Sequence, residues 1–508
     1  VLSKPVDSKV FRFANIYGDH MVLQQAPFRA NVWGFGEVGQ PVVVIIGNLA
    51  YQVKVVAGPQ GKGMWTANLD AHKGGPYSIT ASSKVNSTLY NITLNNVLFG
   101  DVWICSGQSN MQFSIAQVIN MSEAVKEAEN YPNIRLFTAF QVQSDIPLYE
   151  LSVVQQPWSV ASSASVNGGV WKYFSAVCWF YAKNLYDKYK HPLGMIATDW
   201  GGTPVEAWSS PDALATCNIT DLIPRKVLPE EEIFAPPNPS KPSVLYNAMI
   251  HPLLKMTVFG AIWYQGEANA GVPNNYNCTF PAMIDDWRQK WYTSTGGHTD
   301  PLFAFGFVQL SSYGDDPTVI GGFPVIRWAQ TANYGYVPNA RMRNVFMAVS
   351  MDLGNASSPW GSIHPNDKQD VGYRLALSGR AIAYSESGVY YTGPLAVKIM
   401  ISLQSMPRTW LFEVLYSDVG AEGIEIRARS GFEFVCESNG VTSDWIEAQI
   451  LTSSFAEVDL LGLCPSGTDR PTGIRYAWRQ DPCTFKTCAV YSKTEGLPSP
   501  PFVKYAPF

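Results

Sequence analysis

The sequence predicts an α/β protein in which a helix-covered parallel sheet stands between an N-terminal and a C-terminal β-rich, sandwich-like domain. Three observations carry that reading. Strands and helices alternate through the middle of the chain, the pattern of a parallel sheet buried on both faces. Before that stretch, short strands recur with turn residues about every ten positions and no helical period. After it the chain returns to short strands. The boundaries fall at 1–98, 99–391 and 392–508, and 508 residues at about 150 per domain leave room for these three segments.

In order along the chain, residues 32–46 read as a strand, a glycine turn and a β-branched run, and 63–69 and 76–82 alternate as strands do. This first segment is expected to be a structural support rather than a glycan-binding module. An apolar strand from residue 96 breaks at Ser106-Gly107 and continues as a helix start. Residues 174–189 carry apolar side chains at helical spacing, and 194–200 is a buried strand ending at Gly201-Gly202-Thr203-Pro204. A strand over 259–264 runs into the polar loop Gln265-Gly266-Glu267, and 280–292 is an amphipathic helix. Strands follow at 301–310 and 345–352, then a helix over 367–384 with an acidic first turn, favourable to the helix dipole. The last segment shows strands within 424–436, 445–454 and 473–479.

Composition narrows the partners. The 36 basic and 41 acidic residues leave a net charge of −5 with histidine neutral, so there is no global cationic field for nucleic acid or an anionic membrane. No run approaches the ~20 uncharged apolar residues of a membrane helix, and membrane insertion is not expected. The 46% hydrophobic and 15% charged content suits a buried core rather than a disordered chain. Eight cysteines, at 105, 178, 217, 278, 436, 464, 483 and 488, make an even count. Asn86, Asn91, Asn120, Asn218, Asn277 and Asn355 each begin an acceptor sequon for N-glycosylation, whereas Asn238 is followed by proline. Together these place the protein in an oxidising compartment, lysosomal or secreted. No signal peptide is visible, and the chain from Val1 reads as mature or trimmed.

Ligands of open α/β sheets bind where strands end, and the strand ends here are unusual. One ends in Cys105-Ser106-Gly107-Gln108-Ser109-Asn110, another in Trp200-Gly201-Gly202-Thr203-Pro204, a third in Gln265-Gly266-Glu267. A fourth ends at Asp352, and the loop beyond it carries Ser362-Ile363-His364-Pro365. Glycines let backbone amides come close to a ligand, and a serine at a strand-to-helix turn presents its hydroxyl. A histidine on the last loop is a base for that serine, and only six histidines are available. Each feature alone is an ordinary turn; their coincidence at successive strand ends points to serine chemistry.

The ordered blocks GDVWICSGQSNM, WGGTPVEAW, WYQGEAN and SIHPNDK resemble those of the sialate O-acetylesterases, within the SGNH superfamily of serine esterases. The early HMVLQQAP and VWGFG and the late IRYAWRQDPC and GLPSPPF match the same family, so the resemblance runs nearly end to end. It implies an SGNH-hydrolase-like sheet and hydrolysis of O-acetyl esters of sialic acids, most of all the 9-O-acetyl ester, with no metal or organic cofactor. The partner it implies is an O-acetylated sialic acid or sialoglycan. Ser109 corresponds to the nucleophile and His364 to the base. The backbone amides of Ser109 and Gly202 (or Gly201), with the Gln265 side chain, correspond to the oxyanion donors.

The pattern departs from the family at one place. SGNH enzymes carry an orienting aspartate three residues before the histidine, and here that residue is Gly361. Asp352, Asp367 or a backbone carbonyl are the alternatives for orienting His364. Glu267 reads as an anchor behind Gln265, and Arg327 is one candidate cation for a sialate carboxylate. The competing functions are an acetyl esterase for another carbohydrate and a catalytically silent glycan-binding protein, the latter favoured only by Gly361. Met111 breaks a Gly-X-Ser-X-Gly elbow around Ser109. Cys483 and Cys488 suit a disulfide better than zinc, and Asp285-Asp286 reads as a solvated helix face rather than a glycosidase pair.

Overall fold

A strand of 20 residues, Thr88–Gly107, organises the first half of the molecule. The computed structural model describes residues 11–219 and 238–508, so the first ten residues of the predicted 1–98 domain lie outside the described residues. They divide into two compact units. One runs to Trp263 and includes Ala282–Phe305; the other is made of Tyr264–Pro281 and Gly306–Phe508.

In the first unit the early segment is β structure. Ala30–Phe35 pairs antiparallel with Gly63–Leu69, and Pro41–Ile46 pairs antiparallel with Leu49–Lys54 and Gly74–Val85. Gly74–Val85 then pairs antiparallel with the first part of Thr88–Gly107. Past residue 100 the long strand changes partner and runs parallel to Leu193–Asp199, Asp101 opposite Leu193 and Gly107 opposite Asp199. Its burial changes at the same point, from largely exposed to unbroken burial, as expected where a strand leaves an open sheet and enters one covered on both faces. Residue 98 therefore lies inside a continuous strand.

The central sheet is mixed rather than wholly parallel. Leu193–Asp199 runs parallel to Ile134–Ala139, but Val154–Val160 lies antiparallel along the edge. The helix Ala176–Tyr189 starts where the Ser175 hydroxyl accepts from the Cys178 N–H and ends at Lys190 in a left-handed conformation. Its Cys178 forms a disulfide with Cys105, four residues before Ser109, and both cysteines are fully buried.

In the second unit, the Gly306–Gln309 part of the strand Ala304–Gln309 neighbours Val345–Val349. The helix Lys368–Ile382 is capped by Asp367, which accepts from the Asp370 N–H. The C-terminal part forms an antiparallel sheet in the order Leu395–Leu403, Thr409–Ser417, Glu457–Leu463, Ile446–Ser453, Phe432–Ser438, Arg470–Tyr476 and Phe502–Tyr505. The disulfides Cys436–Cys464 and Cys483–Cys488 use the four C-terminal cysteines, and Cys217 and Cys278 are also disulfide-bonded. Among the described residues no helix is long and apolar enough to cross a membrane. Asn86, Asn91, Asn120 and Asn218 are exposed, while Asn277 and Asn355 are half-buried.

Candidate active site

Ser109 is the first residue of a single helical turn, Ser109–Gln112, that follows directly on the long strand. The helix start expected here is this one turn, and the chain leaves it at Phe113. Ser109 itself is half-buried, between a buried Gln108 and a buried Asn110. The loop after Leu193–Asp199 lies against this turn. The Gly201 N–H donates to Gln112 Oε1 at 2.9 Å, and the Trp200 N–H donates to the Gly107 carbonyl at 3.0 Å. A Cβ placed on Gly201 would stand 3.2 Å from the Ser109 Cβ and 3.1 Å from Gln112 Oε1, so only glycine permits this approach without displacement. Gly202 has φ +75°, a left-handed conformation that glycine adopts without strain. The first unit thus brings Ser109 and the Gly201-Gly202 pair together, as the two sequence blocks require.

Gln265 and His364 belong to the second unit. Gln265 is fully buried; its Nε2 donates to Asn269 Oδ1 at 2.7 Å and its Oε1 accepts from the Tyr276 hydroxyl at 2.9 Å, so the orientation of its amide is set. His364 closes a turn in which its N–H donates to the Gly361 carbonyl at 2.9 Å. Its Nδ1 lies 2.9 Å from the Trp360 carbonyl oxygen. A carbonyl only accepts, so Nδ1 carries the hydrogen and Nε2 of the neutral ring carries the lone pair. Gly361 has φ +88°, a conformation that strains an aspartate, and the carbonyl of the residue before it faces the imidazole instead.

The two acidic alternatives are engaged elsewhere. Asp352 is wholly buried and accepts from Arg374 at 2.6 and 2.9 Å and from the Tyr491 hydroxyl at 3.0 Å. Asp367 caps its helix, and burial raises its pKa. Arg327, the candidate cation for a substrate carboxylate, is fully buried and donates to the carbonyls of Leu310, Ser311, Arg479 and Gln480. It is a structural guanidinium, and its burial holds its pKa down to about 9.

Two residues that sequence reasoning passed over stand beside the predicted ones. Gln112 bridges the serine turn to the glycine loop, and its place three residues after Ser109, on the same helical face, is the signal that was available. Lys368 is fully buried with its ammonium 5.2 Å from the centre of the Tyr264 ring. Burial lowers its pKa to about 7 against the charges of Glu267 and Asp367. Burial, and to a smaller extent the charge of Lys368, lowers the pKa of His364, opposed by the bond to Trp360.

A serine at the end of a parallel strand, held against a glycine loop, is an arrangement suited to a serine esterase. Residues 99–295 match the family described as carbohydrate esterase, sialic acid-specific acetylesterase, and 403–506 match the sialate O-acetylesterase C-terminal domain. The chain is 40% identical over 501 residues to the sialate O-acetylesterase of Homo sapiens, covering 97% of this chain and 92% of that one. To the Mus musculus sialate O-acetylesterase it is 39% identical over 518 residues, covering 97% and 94%. The crystal structure of a carbohydrate acetylesterase from Xanthomonas citri is similar with a TM-score of 0.77 at 27% identity, covering 98% of this chain and 100% of that one. The chain belongs to the sialate O-acetylesterase family.

Proposed function

We infer that this protein hydrolyses O-acetyl esters of sialic acids, the 9-O-acetyl ester foremost, with Ser109 as nucleophile and His364 as base. The Ser109 hydroxyl attacks the acetyl carbonyl while His364 Nε2 takes its proton. The tetrahedral oxyanion is held by the amides of Ser109 and Gly202 and by the Gln265 side chain, each such donor being worth about 10²–10³ in rate. His364 returns the proton to the departing sugar hydroxyl. Water, activated by the same histidine, then splits the acetyl-serine to acetate and free serine.

The observation that carries this reading is the close approach of Gly201 to Ser109, held by the bond from the Gly201 N–H to Gln112. The Trp360 carbonyl supplies the orientation an acid would otherwise give, so the reading is of a dyad, and it counts against a silent glycan-binding protein. We read 1–98, 99–391 and 392–508 as the domains, the six sequons as glycosylation sites, and the lysosome or the extracellular space as the location. The disulfides support an oxidising compartment.

The test is acetate release from 9-O-acetylated sialic acid by the intact protein and by Ser109→Ala. The intact protein is expected to turn over, and the variant to lose about 10³-fold or more. Equal rates would remove Ser109 from the mechanism. Release from acetylated xylan but not from the sialic acid would move the substrate to another carbohydrate.

A further inference from the structure

An open cleft lies in the first unit at the carboxyl ends of Ile134–Ala139 and Leu193–Asp199. Gln112, Thr138, Gln141, Trp171, Lys172 and Asp199 are among its lining residues. It adjoins the serine turn, because Gln112 is both part of its wall and the acceptor for Gly201. The loop that brings Trp171 and Lys172 to it is tied down at several points. Ser114 Oγ donates to the Gly169 carbonyl at 2.9 Å, the Trp171 N–H donates to Gln117 Oε1 at 3.0 Å, and the Lys172 N–H donates to the Gly169 carbonyl at 3.2 Å. The wall is made largely of amides and hydroxyls, which suit the hydroxyls and N-acyl groups of a sugar.

We propose that this cleft seats the sugar of the ester substrate and that Lys172 recognises its carboxylate, the group that distinguishes a sialic acid from a neutral sugar. The proposal rests on the esterase reading above. Among the described residues lining the cleft, Lys172 is the one cation. Asp199 is the acid in the wall, and its near-complete burial raises its pKa to about 7. In an acidic lumen it is uncharged, acts as a hydroxyl donor, and leaves the sign of the cleft to Lys172. Above pH 7 its charge opposes an anionic sugar. Arg327, buried among carbonyls, is not available for this role.

The experiment compares 9-O-acetyl-N-acetylneuraminic acid with its methyl ester, in which the carboxylate is neutralised, for the intact protein, Lys172→Met and Lys172→Arg. In Lys172→Met the KM for the acid is expected to rise about tenfold, the size of one charge-assisted hydrogen bond, while KM for the methyl ester moves less than twofold. Lys172→Arg is expected to keep the preference for the acid. A parallel titration of free N-acetylneuraminate into Ser109→Ala, with and without Lys172→Met, reads the same contact without turnover and is expected to weaken about tenfold. An equal rise on both esters, or no change in either KM or the titration, overturns the role of Lys172. If the intact protein cleaves neither ester, the esterase reading fails, and the titration alone decides the carboxylate contact.

Discussion

The tautomer of His364 is set by a backbone atom, the Trp360 carbonyl, and its basicity by burial and the nearby Lys368. Its pKa therefore lies below that of a free imidazole. A base must be unprotonated, so activity falls only as pH drops through this lowered value. The acid limb of kcat/KM against pH is accordingly expected below the ordinary histidine range, which fits an acidic lumen; a limb at or above that range would count against it. Asp352 makes a second prediction. Its carboxylate answers the buried Arg374 and not the imidazole, so Asp352→Asn is expected to cost about 3 kcal/mol of stability by leaving a buried charge poorly paired. Turnover per folded molecule should stay within about tenfold of the intact protein, since loss of a catalytic acid costs about 10⁴. Denaturant titration beside specific activity separates the two. Ser109, Gly202, Gln265 and His364 are legible as candidates in the sequence because each lies in a local block. It was silent on Trp360 as an acceptor, because every residue has a carbonyl and only the fold aims one.

Among the elements, the long strand and the helix Ala176–Tyr189 hold the serine in place through the Cys105–Cys178 disulfide, whose cysteines are 73 residues apart. A closed loop of that length is worth about 4 kcal/mol in the chain-entropy model, lost when the bond is removed. Replacing both cysteines by serine is expected to lower the midpoint of denaturant unfolding and, with the strand end loosened, to lower kcat more than it raises KM. An unchanged midpoint would show the bond to be dispensable. Most elements were legible from period and turn residues: Gly63–Leu69 and Leu193–Asp199 follow their alternating or buried apolar runs almost residue for residue. The strands Leu395–Leu403 and Thr409–Ser417 were not singled out, because each keeps one face half-exposed and its pattern is less marked. The helix start expected after Gly107 is a single turn, ending where the Phe113 N–H closes on the Ser109 carbonyl.

For the whole molecule, the net charge of −5 offers no global cationic field for a polyanion. The sequons add a prediction at this scale. Asn86, Asn91, Asn120 and Asn218 are exposed, whereas Asn355 donates its Nδ2 to Asn366. Enzymatic deglycosylation in heavy-oxygen water followed by peptide mass mapping is expected to label the four exposed sites most fully. Labelling confined to Asn277 and Asn355 would contradict it. The chain's own order of residues determined the class of chemistry and the alternation of elements, and it nominated the candidate reacting groups, since motif spacing and hydrophobic period are local properties. Only the tertiary structure decided that one strand serves both the N-terminal sheet and the central one. It also decided that Arg327 and Asp352 are spent on the core, and that Lys172 is presented to a cleft beside the serine turn. Those outcomes depend on which distant groups burial brings within hydrogen-bond reach, and no local pattern encodes that.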